Sequence, residues 1–87
     1  MQQTMLSREE IVRRGEEIYA QEIRSKVEAI HRGKPLVLDV ESHDYEIDYD
    51  ERAAFERLKA RRTGGVFYIL RVGFSASIAL RLRSSTR

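Results

Sequence analysis

The chain of 87 residues contains no cysteine and no tryptophan, one proline and five glycines. Without cysteine there is no disulfide staple, no thiolate nucleophile and no thiolate zinc site, so a fold this small must rest on apolar packing or on a second subunit. No segment approaches the roughly 20 consecutive apolar residues that span a bilayer, and Met1 to Glu10 shows no basic stretch followed by an apolar run. The expectation is a cytoplasmic protein with no membrane partner. Also missing are a phosphate-binding glycine loop, a Ser/His/Asp set and a His-x-x-x-His pair, which argues against an enzyme and leaves no catalytic residue to name.

What the chain does have is segregated charge. Residues 1–33 carry six Lys/Arg and six Glu, residues 34–51 one Lys against seven Asp/Glu, and residues 52–87 nine Lys/Arg against one Glu. A net charge of +2 therefore conceals an acidic middle and a basic end. Either the two lie side by side and neutralise one another, or the basic end meets an anionic partner.

Local signals divide residues 1–87, read as one small domain, into six elements. Ser7-x-x-Glu10 is a capping box, with Leu6 and Ile11 placed as a hydrophobic staple, and His31-Arg32-Gly33 followed by Pro35 closes a long helix. Its apolar stripe is Val12, Tyr19, Ile23, Val27 and Ile30, broadened by Ile11 and Ile18. Gly15 interrupts that stripe and marks either a close approach of another backbone or a bend. Leu36 to Tyr49 then alternates with period two on both sides of Ser42-His43, a hairpin pattern. A two-residue loop there sets Val40 opposite Tyr45, Leu38 opposite Ile47 and Leu36 opposite Tyr49, with the acids on the other face; a longer loop remains open, because these are poor residues for a tight primed turn.

The acids and His43 invite a metal reading. Asp39, Glu41, His43, Glu46 and Asp48 are hard donors with a single imidazole, but they lack a glycine-containing calcium loop and a second histidine. No metal and no cofactor is expected. On the wet hairpin face Asp39 opposes Glu46, so neighbouring cations are required.

A second helix runs from Asp48 or Asp50 to Arg62, opened by Asp48-x-x-Glu51 and stopped by Thr63-Gly64-Gly65. Val66 to Val72 reads as a central strand, and Ile78, Leu80 and Leu82 as alternate residues of a last one. Placing Val66, Tyr68, Leu70 and Val72 with Ile78, Leu80 and Leu82 on the core face leaves Phe67, Ile69, Arg71, Arg81 and Arg83 opposite. Those three arginines would neutralise Asp39, Glu46 and Asp48, while Phe67 and Ile69 would need a partner or a second helix.

The blocks G-K-P-L-V-L-D-V-E-S-H-D-Y-E-I-D (33–48) and F-Y-I-L-R-V-G-F-S-A (67–76), preceded by G-E-E-I-Y (15–19), carry a resemblance. The chain resembles a family of small uncharacterised bacterial proteins, common in cyanobacteria, with the pattern G-K-x-x-x-[IL]-[DE]-V-E-[ST]-G-D-Y, an Ala-rich helix, and a strand ending R-[VI]-G-[YF]. It covers most of residues 15–80. The resemblance implies a shared α+β fold and assigns no functional residue; His43 departs from the pattern, which has glycine there.

Together these readings predict an α+β domain of order α-β-β-α-β-β, a four-stranded, mainly antiparallel sheet of undetermined strand order with helices on its apolar face. The function expected is a non-enzymatic binding or regulatory module acting through protein contacts, antitoxin-like in kind, with a partner encoded nearby and with Phe67, Ile69, Arg71, Arg81 and Arg83 as its partner-binding surface. The alternative is weak nucleic-acid binding by the basic C-terminal strand, with Phe67 as a stacking residue. A homodimer is expected through Ile11, Val12, Ile18 and Tyr19 of the long helix, whose stripe outruns a small sheet.

Overall fold

A computed structural model describes residues 6–61 and 65–74, and the backbone alone of residues 77–81. The capping box forms as the sequence dictates. The Ser7 N–H donates to the Glu10 carboxylate at 3.0 Å, and the Glu10 N–H donates to the Ser7 hydroxyl at 3.1 Å. From this start α1 (Arg8–Ile18) passes into a π-helical turn (Tyr19–Ile23) and on into α2 (Arg24–His31). A π turn inserts one residue and rotates the following helix by about 100° relative to a straight α-helix. That rotation keeps Ile23 and Val27 over the same sheet as Ile11 and Ile18, and all four are buried. The expected stripe is corrected at two points: Val12 is half-buried and Ile30 stands 71% exposed.

Gly33, at a φ of +88° that side chains rarely adopt, turns the chain out of α2, and its N–H donates to the Val72 carbonyl at 2.8 Å. Strand β1 (Pro35–Asp39) follows, then β2 (Tyr45–Ile47), α3 (Glu51–Arg61), β3 (Val66–Arg71) and β4 (Ser77–Arg81). The sheet order is β2-β1-β3-β4 with every neighbouring pair antiparallel. Strands β2 and β3 therefore run parallel, with β1 between them and α3 as the crossover.

The hairpin register differs from the expected one by two residues. Leu36 pairs with Ile47, Val37 with Glu46 and Leu38 with Tyr45. The tight turn gives way to a longer loop, in which the Asp39 N–H donates to the Asp44 carbonyl and the His43 N–H to the Asp39 carbonyl. His43 takes the left-handed φ of +70° at the position where the resemblance has glycine.

Helices cover both faces of the sheet, which corrects the expectation that both lie on one. Against α1, the π turn and α2 pack Leu36, Leu38 and Val40 with Val66, Tyr68, Leu70 and Val72. Against α3 pack Val37, Phe67 and Ile69, meeting Ala54 and Leu58. All five residues of β1 are buried, so the expected wet face of that strand is an interior one. Asp39 itself is fully buried, its carboxylate accepting from the Glu41 and Ser42 N–H groups at 2.9 and 3.4 Å. In β4, Ile78 is the Cα partner of Ile69 and Leu80 of Phe67, so the register aligns both with the α3 side rather than with Tyr68 and Leu70 as expected. Leu82 lies outside the described residues.

Candidate binding surface

Two acids of the hairpin, Glu46 and Asp48, are paired with arginines of α3. Asp50, the residue before that helix, accepts from the Arg52 N–H at 3.0 Å, and Asp48 accepts from the Asp50 N–H at 2.8 Å, in place of the expected Asp48-x-x-Glu51 box. Arg57 then reaches back over β2, donating to Glu46 and to Asp48 at 2.9 Å each and to the Ile47 carbonyl at 3.1 Å, and Arg61 pairs with the other Glu46 oxygen. Burial raises the Glu46 carboxyl pKa, but the hydrogen bonds from Arg61 and Arg57 outweigh it and leave the group below the usual range. Asp48 is lowered first by the Asp50 N–H and then by Arg57, whose own pKa rises in return. Among the described residues the arginines that pair with Glu46 and Asp48 are thus Arg57 and Arg61, and Arg71 is not one of them; Arg83 and the side chain of Arg81 lie outside the described residues. Among the described residues, no group of three or more His, Cys, Asp or Glu side chains is placed to hold a metal ion.

The residues expected to meet partners fall elsewhere. Phe67 is fully buried beneath α3, with the Phe55 ring edge-on at 5.3 Å, and Ile69 is buried beside it. Helix α3 is the second helix that this patch required, so neither ring nor side chain is free for a partner or a base. Arg71 is exposed and donates to the Gly33 carbonyl at 2.8 Å. The backbone of Arg81 pairs with that of Val66, and Arg83 lies outside the described residues. Of the four residues assigned to a dimer interface, Ile11, Ile18 and Tyr19 are buried in the chain's own core, and only Val12 retains some exposure. From Ile11 to Val27 the stripe is covered by the sheet apart from half-buried Val12, the π turn re-aiming Ile23 and Val27 onto it, and only Ile30 at its end is left exposed.

Sequence reasoning missed one end of the sheet. The described residues include three exposed large hydrophobic side chains: Ile30 at 71%, Tyr49 at 83% and Phe74 at 56%. Backbone hydrogen bonds gather the segments that carry them. The Lys34 N–H donates to the His31 carbonyl, the Val72 N–H to the Lys34 carbonyl, the Asp48 N–H to the Pro35 carbonyl and the Phe74 N–H to the Arg71 carbonyl. Three cations lie among them: Lys34 Nζ is 3.1 Å from His31 Nδ1 and 4.4 Å from the Tyr49 ring centroid, Arg71 donates to the Gly33 carbonyl, and the Arg32 side chain passes close to Gly73.

Beside Phe74 a cleft of about 450 Å³ opens between the π turn and β3, lined by Glu16, Tyr19, Arg24, Glu28 and Tyr68. The Tyr19 hydroxyl donates to Glu28 at 3.2 Å, tying the π turn to α2. Burial first, then the charge and hydrogen bond of Glu28, push the Tyr19 pKa up to about 12. Arg24 pairs with Glu28 at 3.5 Å and lies 5.6 Å from the Tyr19 ring centroid. At the other end of the sheet, His43 Nδ1 sits 3.0 Å from both Glu22 oxygens and anchors the hairpin loop to the π turn. No helix among the described residues is long and apolar enough to cross a membrane. Comparison of the chain with family models, with curated proteins and with solved structures finds no match.

Proposed function

We propose that the chain is a small non-enzymatic binding module acting through protein contacts, and that its contact surface is the sheet end carrying Ile30, Tyr49 and Phe74. The observation that supports this reading is that three exposed apolar side chains are carried by three separate segments whose backbone hydrogen bonds bring those segments to one end of the sheet. Exposed apolar groups collected at one place are what a docking surface presents, whereas scattered ones carry no such meaning. In this reading the module works in the cytoplasm, and its partner is encoded beside it, as for an antitoxin-like protein. Co-expression of the full chain with its genomic neighbour tests the proposal. A complex should co-elute, and Tyr49→Asp/Phe74→Asp should dissolve it while leaving the circular dichroism of the chain unchanged. A neighbour that never co-elutes, or a complex indifferent to both substitutions, would defeat it.

A further inference from the structure

Resting on that reading, we infer that the partner presents an acidic segment bearing an apolar side chain. The carboxylates of that segment would meet Arg32, Lys34 and Arg71, and its apolar side chain would pack on Tyr49 and Phe74.

The inference comes from an asymmetry in how charge is spent at this end of the sheet. The nearby carboxylates are committed: Asp48 to Arg57, Glu28 to Arg24 and the Tyr19 hydroxyl, and Asp50 to the first turn of α3. The cations are not. Among the described residues, none of Arg32, Lys34 and Arg71 has a carboxylate within ion-pair distance, although Lys34 adds to the field that lowers Asp48. Lys34 and Arg71 are nonetheless held in place, one by an imidazole and a ring and the other by a carbonyl. Cations positioned by neutral partners keep their full charge for an incoming anion while losing part of the conformational freedom that binding would otherwise have to remove.

The same surroundings favour an acidic peptide over a nucleic acid. A phosphate backbone running across this end would pass Asp48, Asp50 and Glu28, and three cations would neutralise few phosphates. A peptide places its few carboxylates only where the cations are. Ile30, an aliphatic neighbour, suits an apolar side chain better than a stacked base.

Selection of the full chain against a displayed library of random peptides of about twelve residues tests this. Enriched sequences should carry Asp or Glu around an aromatic or aliphatic residue, and their affinity should fall with added salt. Arg32→Glu/Lys34→Glu should weaken the selected peptides by about tenfold or more, with circular dichroism unchanged. Enrichment of neutral or basic sequences, failure of any sequence to enrich, or tighter binding of a single-stranded oligonucleotide would overturn the inference. If the co-eluting complex is lost in Tyr49→Asp/Phe74→Asp but survives Arg32→Glu/Lys34→Glu, the binding module stands and the acidic partner falls.

Discussion

Gly15 of α1 lies directly over the ring of Tyr68 in β3, so close that a Cβ on Gly15 would stand well inside van der Waals distance of three ring carbons. Of the two meanings open to this glycine, close approach is the one realised, although the approaching group is a side chain; the irregular helical turn lies further on, at Tyr19–Ile23. Gly15→Ala should destabilise the fold by about 1–3 kcal/mol or more, despite alanine's better helix propensity. Tyr68→Val should recover part of that loss, because it removes the ring the new methyl meets. Urea unfolding of the two single variants and the double variant measures the coupling. Additive effects would show that the ring and the glycine are not in contact.

Asp39 behaves as a buried loop anchor rather than a surface acid. Leu38→Ala should cost about 2–5 kcal/mol through the cavity it leaves. Asp39→Ala should cost about 1–3 kcal/mol, because the Glu41 and Ser42 N–H groups lose their acceptor. Asp39→Asn retains an acceptor oxygen and should cost less than alanine. An alanine variant as stable as the parent would place Asp39 on the surface.

Tyr19 predicts an alkaline limb of the stability curve. Its folded pKa, about 12, lies above the unfolded value near 10, so the stability it contributes is complete below pH 10 and is lost as pH rises through 12. The loss should be on the order of 2–3 kcal/mol. Tyr19→Phe should flatten that limb in denaturation curves taken between these pH values. An unchanged slope would mean that the hydroxyl is neither buried nor held by Glu28.

Arg57 contributes to the acid limb through both Glu46 and Asp48, beside Arg61 and the Asp50 N–H. Glu46 and Asp48 have depressed folded pKa values, so their contribution is present above the unfolded carboxylate range near pH 4 and disappears as pH falls through the lower folded values. Arg57→Met should make the loss of stability on acidification shallower, and Arg71→Met should leave it unaltered. The reverse result would assign the neutralising role to β3.

The elements, the start and stop of the first helix and the α+β class were legible in the sequence because their causes are local. Ser7 and Glu10 cap the helix they begin, Gly33 turns the chain out of it, and period-two stretches form strands. The segregation of charge was legible for the same reason, but not which groups would neutralise which. Tertiary structure alone decided that Arg57 and Arg61 pair with Glu46 and Asp48, since a helix crossing from β2 to β3 lays these basic side chains over the strand it has just left. It also decided the register: a slip of two residues returns every side chain to its own face, so alternation could not distinguish Leu36 opposite Tyr49 from Leu36 opposite Ile47. The contiguous Leu36-Val37-Leu38 was a local sign that β1 is covered on both sides, yet only the packing of α3 on Val37 made it one. The candidate surface was least legible. Of its residues only Arg71 stood out beforehand, because the segments of Ile30 and Lys34, of Tyr49 and of Phe74 lie far apart along the chain and meet at one end of the sheet only when β2 and β3 both pair with β1.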